Sequence, residues 1–190
     1  MNQREKHLVA VIDEWSPYVR PLFELAQSSD NECWIGAGVI TQSVWNYQFG
    51  YPADYGIGDA DLIYFDSTGT LEEEKNLEKR WNDNCRNVPF SIDVTNEALV
   101  HLWYEEKFNQ SIKPYTSVKD AIDTWPTTAS SVGVKRKKND GEYEVYAPFG
   151  LEDLFQGIIR PNKRLIPEEV YWNKAEKWKR RWPELKILPW

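Results

Sequence analysis

The sequence predicts a mixed α/β or α+β class built around one sheet, and three observations predict it. Segments of helical spacing and segments of strand character interleave along the 190 residues, and such elements hide their apolar faces best when helices cover a sheet. The length is that of one domain, long enough to bury roughly 70% of the unfolded chain's surface without a disulfide or metal staple. With 41% hydrophobic and 28% charged residues and a mean hydropathy of −0.65, the chain can fill a core and keep a wetted surface.

The elements follow in order. Leu8, Val11, Ile12 and Trp15 recur at helical spacing, so residues 5–28 read as helical, with PYVRPLFELAQSS as a turn and a second helix. SSDNE is a turn, CWIGAG is a short apolar strand running into small residues, and VITQSVWNYQF is a helix. GYPADYGIG carries the Gly, Pro and Asp of a loop, and DADLIYFD is the next strand. Thr70 and Glu73 have capping-box spacing and open a polar helix to about residue 84, with Leu77 and Trp81 on one face.

FSIDVT alternates, sending Phe90, Ile92 and Val94 one way and Ser91, Asp93 and Thr95 the other. NEALVHLWYEEKF reads as a helix behind an Asn cap, with a strand over ALVHLWY as the alternative. Ser117 caps a helix striped by Val118, Ala121, Ile122 and Trp125. VGVKRKKNDGEYEVYAP is a hairpin turned by Asn139-Asp140-Gly141. The last helix starts at Pro167, places Glu168 and Glu169 in its first turn and Lys179, Arg180 and Arg181 in its last, and buries Tyr171, Ala175, Trp178 and Trp182.

Composition narrows the function. A net charge of −7 and a pI near 5.0 oppose a broad nucleic-acid groove, which needs clustered Lys and Arg; they do not oppose a nucleotide arriving with a divalent metal. Cys33 and Cys85 show no metal spacing and suit a reducing cytosol. The N-terminal apolar stretch is too short for a signal peptide and no run reaches a membrane span, so the expected location is cytoplasmic. His7 and His101 have no partner at metal or triad spacing. Ten tryptophans are ordinarily core filler; a carbohydrate platform is the competing reading.

The acids carry the chemistry. Five acid-x-acid pairs occur, at 30/32, 59/61, 72/74, 140/142 and 142/144. The pairs at 72–74 and 140–144 are accounted for by a helix start and a hairpin tip. Asp59 and Asp61 differ because an apolar strand follows at once, so both project from one strand face a few ångströms apart. Like carboxylates so placed repel unless a proton or cation sits between them, and a divalent metal gains hard oxygen ligands there. Asp93 is a lone acid on the polar face of a second strand. If the two strands are neighbours, three carboxylates converge, as phosphoryl transfer around Mg²⁺ requires. Upstream, Gly36-Ala37-Gly38 closes a strand and opens a helix, where phosphate can reach free backbone N–H groups.

Strand-GAG-helix, then Asp-x-Asp opening a strand, then a third acid on another strand resembles the DNA polymerase β-like nucleotidyltransferase superfamily. More closely, CWIGAGVITQSVW, GDADLIYFD, IDVTNEALVHLWY, PYTSVKDAIDTWPTTASSVGV, VYAPFGLEDLF with IIRPN, and KRRWPELKILPW are similar to a bacterial nucleotidyltransferase-like family, the DUF925 group, over most of residues 33–190.

The resemblance implies an α+β nucleotidyltransferase fold: a small mixed sheet flanked by helices, with a C-terminal helical and hairpin extension. Residues 1–190 would form one domain with its core at about 30–110. Asp59, Asp61 and Asp93 become catalytic and metal-binding residues for Mg²⁺ or Mn²⁺, and Gly36, Ala37, Gly38 and Ser43 the nucleotide-binding ones. The implied reaction moves a nucleoside monophosphate from an NTP to a hydroxyl, with a small-molecule or protein acceptor favoured over long nucleic acid by the acidic pI. The alternative is a protein of this shape that binds nucleotide or a partner without turnover.

Two departures stand out. Ile40-Thr41-Gln42 stands where the family often has an Arg, so a phosphate contact has to come from elsewhere. The long interval from Gly38 to Asp59 requires PADYGIG to fold out of the way. Secondary candidates are Lys135, Arg136, Lys137 and Lys138 as a basic flap or a solvated tip, Arg160 and Lys163 facing the site, and Trp125-Pro126-Thr127-Thr128 stacking on a base or packing in the core.

Overall fold

The computed structural model describes residues 1–190. Helix α1 (Gln3–Val9) starts on a reciprocal cap, Asn2 Oδ1 accepting the Glu5 N–H and Glu5 Oε2 accepting that of Asn2. It continues as a π-helical turn over Ala10–Trp15, then α2 (Arg20–Gln27). Strand β1 (Trp34–Gly36) leads straight into α3 (Ala37–Phe49). Next come β2 (Asp59–Tyr64), α4 (Leu71–Asn84), β3 (Ser91–Asn96), α5 (His101–Phe108) and α6 (Val118–Ile122). The hairpin is β4 (Gly133–Arg136) and β5 (Tyr143–Tyr146). It is followed by α7 (Glu152–Phe155), β6 (Ile158–Ile159), α8 (Glu168–Arg181) and β7 (Lys186–Ile187).

Five strands form a mixed sheet in the order β3-β2-β1-β4-β5, with β2 and β3 parallel and every other pair antiparallel. The hairpin is hydrogen-bonded into this sheet through β1, Gly36 lying opposite Gly133. Strands β6 and β7 pair separately. At two residues each they carry no periodicity, which is why the sequence does not announce them. ALVHLWY is no strand: residues 98–100 are turn and His101–Tyr104 are the start of α5.

Strand period two sorts the sheet's faces. Ala60, Leu62, Ile92 and Val94 point into the main core with Leu22, Phe23, Ile35 and Val44. Asp59, Asp61 and Ile63 of β2, with Ser91, Asp93 and Thr95 of β3, point the other way. Edge strand β3 is covered by α4, whose polar residues stand in for a missing strand. Asn82 brackets Ile92, accepting its N–H at 2.9 Å and donating to its carbonyl at 2.7 Å. Glu78 and Glu74 accept the N–H groups of Val94 and Asn96 at 3.0 and 2.6 Å. Thr70 and Glu73 form the expected capping box that starts this helix.

The predicted stripe of α8 is buried in full, Tyr171, Ala175, Trp178 and Trp182. Trp178 and Trp182 meet Trp45 of α3 edge-on at 5.1 and 5.5 Å between ring centres. The Trp182 indole N–H donates to Asn46 Oδ1 at 2.8 Å. No tryptophan of the ten is exposed, which ends the carbohydrate-platform reading. The loop before β2 lies down on this joint. Tyr55 donates through its hydroxyl to the Arg181 carbonyl at 3.0 Å, Arg181 Nη1 donates to the Gly56 carbonyl at 2.5 Å, and Gly56 backs onto the Trp182 ring. The acid pair is therefore left uncovered. Cys33 and Cys85 are free and buried, and no helix is long and apolar enough to cross a membrane.

Candidate active site

Parallel pairing of β2 with β3 sets Asp93 beside Asp61 and Ser91 beside Asp59, so the three acids share one face of neighbouring strands. On the other side of β2, Gly36 of β1 lies opposite Asp61. The chain then turns through Ala37, whose φ of +45° is the left-handed region that costs a non-glycine residue about 1–2 kcal/mol. The Ala37 N–H donates to the Val132 carbonyl at 3.1 Å and anchors the bend. A Cβ built on Gly38 would stand 3.9 Å from both Asp59 Oδ1 and Asp61 Oδ2. The glycine bend and the acid pair thus face each other at contact distance.

Helix α8 closes the opposite side. Asn173, Lys174 and Lys177 line a groove of about 450 Å³ together with Gly38, Gln42, Asp59 and Asp61, a size within the roughly 300–1,000 Å³ of ligand sites. Burial pushes the Asp61 carboxyl up to about 6; Lys174 and the Gly38 amide pull it back, while Asp59 and Asp93 push it further. Asp93 is exposed yet also raised, by desolvation and then by Asp59 and Glu78, and the Ser91 hydroxyl donates to it at 3.4 Å. Lys174 is held below the usual lysine range by its half-buried position, an effect the two aspartates oppose. Burial is the main cause of these shifts, and Asp59 and Asp61 share the groove with Lys174 and Lys177; the close pair of carboxylates is where a divalent cation could be held. No three Asp, Glu, His or Cys side chains converge into a ready-made metal cage, so Asp93 stands beside the pair and does not close on it.

A family model described as Nucleotidyltransferase matches residues 25–187. The chain belongs to this nucleotidyltransferase family. Among solved structures, the fold is similar to an NMR structure described as revealing a CCA-adding enzyme head domain. The TM-score is 0.80 at 22% identity, covering 100% of this chain and 97% of that one. It is also similar to the Thermotoga maritima CCA-adding enzyme complexed with tRNA, at TM-score 0.53 and 15% identity. A CCA-adding enzyme complexed with CTP matches at TM-score 0.54 and 15% identity. This chain is 97% covered in both matches but spans only 42% and 43% of those proteins. No curated protein matches the sequence.

For a member of this nucleotidyltransferase family, the placement of the remaining candidates is informative. Gly38 lines the groove, Ala37 lines a deeper pocket behind it, and Gly36 lies under the Trp125 ring. Ser43 is a correction. Five residues past Gly38, it falls on the core side of α3, is 0% exposed and has no hydrogen-bond partner, so it is withdrawn from any phosphate. Lys135 is taken up by Glu32 and Glu144, Arg160 by Asp153, and Lys163 lies over the Trp190 ring; none lines the groove. Lys174, Lys177 and Gln42 escaped the sequence reading. Lys174 did leave a signal: it lies three residues after Tyr171 and four before Trp178, on the flank of a buried stripe, where a lysine needs an acid to face.

Proposed function

We propose that this protein transfers a nucleoside monophosphate from an NTP to an acceptor hydroxyl with release of pyrophosphate, using a divalent metal held by Asp59 and Asp61 with Asp93 alongside. The observation that carries the reading is the meeting of Asp59 and Asp61 with the Gly38 bend and Lys174 around one groove, with Asp93 next to Asp61 on the neighbouring strand. The adjacent carboxylates of Asp59 and Asp61 offer the hard oxygen ligands that Mg²⁺ or Mn²⁺ takes, and the metal when bound would neutralise phosphate charge in the transition state. Gly38 lets the triphosphate approach backbone N–H groups at the start of α3. Lys174 and Lys177 supply the cationic contact that Ile40-Thr41-Gln42 does not. Asp93, exposed beside Asp61 on the neighbouring strand and of raised basicity, takes the proton from the attacking hydroxyl. The new bond forms between that oxygen and the α-phosphorus; the bond from the α-phosphorus to its bridging oxygen breaks, and the pair leaves on pyrophosphate.

A small molecule or a protein side chain is favoured as the acceptor over long nucleic acid, with a tRNA end as the alternative. The net charge of −7 disfavours long nucleic acid. The test is pyrophosphate release from labelled NTPs with Mg²⁺ or Mn²⁺ and a mixed acceptor extract, beside an Asp59→Asn/Asp61→Asn variant. Release that the variant lacks supports transfer. Metal-dependent stabilisation by NTP without release leaves a nucleotide-binding protein of this fold that performs no turnover.

A further inference from the structure

The groove does not end at Asp61. A second cavity, of about 240 Å³, continues along the same face of the sheet, and Asp61, Val170 and Lys174 line both. Beyond Asp61 its walls change from charged to aromatic, with Trp103, Tyr104, Phe108, Tyr115 and Trp125. These rings are well fixed. Tyr104 and Phe108 lie 4.5 Å apart between centres, the Tyr115 hydroxyl is 2.7 Å from the Thr124 hydroxyl, and Trp125 rests on Gly36.

One acid lies among them. Glu97 follows β3 directly, its N–H donating to the Tyr64 carbonyl at 2.8 Å, so its backbone is pinned to the end of β2. It lines the cavity at 5% exposure, and no hydrogen bond or ion pair inside the protein engages its carboxyl. A buried, unpartnered carboxyl weakens a fold, and an apolar side chain would fill the place better. A polar group held ready in an aromatic pocket is the usual construction of a ligand site.

Resting on the nucleotidyltransferase reading of the groove, we infer that this pocket takes the nucleobase of the NTP and that Glu97 reads the base's hydrogen-bonding edge. The geometry is consistent end to end. Triphosphate lies against Gly38 and Lys174, the α-phosphorus sits by Asp61, and the base enters the aromatic cavity, where rings can stack on it. Burial, with Asp61 and Glu74 nearby, pushes the Glu97 acid up to about 8, so at neutral pH it presents one donor and one acceptor side by side. Two such bonds to a base edge discriminate by about 10- to 100-fold.

The experiment measures binding of the four Mg²⁺-NTPs and of inorganic tripolyphosphate to wild type, Glu97→Gln and Glu97→Leu, with circular dichroism confirming each fold. Wild type is expected to prefer one base about tenfold or more. Glu97→Gln, which keeps a donor and an acceptor, should stay within about threefold. Glu97→Leu should lose the preference while binding tripolyphosphate as before. If wild type binds all four NTPs and tripolyphosphate alike, or Glu97→Leu keeps its preference, the base pocket is wrong and the groove reading stands. If wild type binds neither NTP nor tripolyphosphate, both readings fall together.

Discussion

Lys174 of α8 and Asp61 of β2 line the same groove from opposite walls, each shifting the other's titration toward the charged form. Yet burial dominates for both, so neither charge is fully satisfied by the other. A half-buried ammonium facing an acid pair and a glycine bend suits a phosphate that arrives with a metal. Replacing Lys174 by Met is expected to weaken Mg²⁺-NTP binding by about tenfold, the loss of one charge-assisted contact worth on the order of 1.5 kcal/mol, and Lys174→Arg to restore part of it. Calorimetric titration with a non-hydrolysable NTP analogue decides. An unchanged Kd in the Met variant would remove Lys174 from the phosphate site.

The acids should cost stability when no cation is present. Asp61 keeps its proton in the fold up to about pH 6, above the ordinary aspartate range. Between that range and pH 6 the unfolded chain has already ionised, so folding is penalised increasingly as pH rises, and by the full amount above 6. Asp61→Asn removes the penalty. In EDTA at pH 7.5 the variant is expected to be more stable than wild type by on the order of 1–2 kcal/mol, read as a higher unfolding temperature. The gap should close as pH falls through 6 towards 4. Adding Mg²⁺ at pH 7.5 should stabilise wild type alone and narrow the difference, while the variant shows no transfer. Coincident melting curves across the pH series would contradict a buried, raised Asp61 carboxyl.

What could be read in advance was what local chemistry settles. The Asp59-x-Asp61 strand, the alternation placing Asp93 opposite Ile92 and Val94, the Thr70–Glu73 cap, the Asn139-Asp140-Gly141 hairpin and the α8 stripe each depend on neighbours a few residues away. Pairings were beyond reach. The short β1 alone gives no sign that it lies antiparallel between β2 and β4, and β6 and β7 exist only because the tail returns to meet Ile158. The site divided along the same line. The acids and Gly38 announce themselves by pattern, whereas Lys174 and Glu97 acquire meaning from the element packed against them. Ser43 misled because nearness along the chain is not nearness in space: five residues along α3 turn its hydroxyl into the core.

Two glycines of one bend should respond in opposite ways. A Cβ on Gly36 would lie 2.3 Å from Trp125 Cη2, and that ring is held against the cluster of Trp34, Ile63, Val118 and Ile122. Gly36→Ala is expected to destabilise by about 1–3 kcal/mol, the range for overpacking. On Gly38 the nearest obstacle is the free end of Gln42 at 3.1 Å, which can move. Gly38→Ala should therefore melt no lower than wild type, since alanine suits a helix better. Its methyl, however, occupies the gap before Asp59 and Asp61, and NTP binding should weaken by about tenfold or more. Thermal unfolding and nucleotide titration of both variants are the check, and a Gly38→Ala protein with wild-type affinity would take the bend out of the site.

Glu97 gives a stability signature independent of any ligand. Its acid is held up to about 8 in the fold, with burial as the main cause and Asp61 and Glu74 adding to it. Below the ordinary glutamate range both folded and unfolded chains carry the proton, and the residue is neutral in the balance. From there to pH 8 the unfolded chain gives up the proton while the fold retains it, so the folded state binds more protons and loses stability as pH rises. Glutamine has no proton to lose and the same shape. Glu97→Gln is therefore expected to match wild type near pH 4 and to pull ahead steadily up to pH 8, by on the order of 2–4 kcal/mol. Urea unfolding at pH 4.5, 6 and 8 measures the difference directly. Parallel pH profiles would mean that the carboxyl is solvated or paired in solution, and an acid so satisfied would have no need of a base to bind.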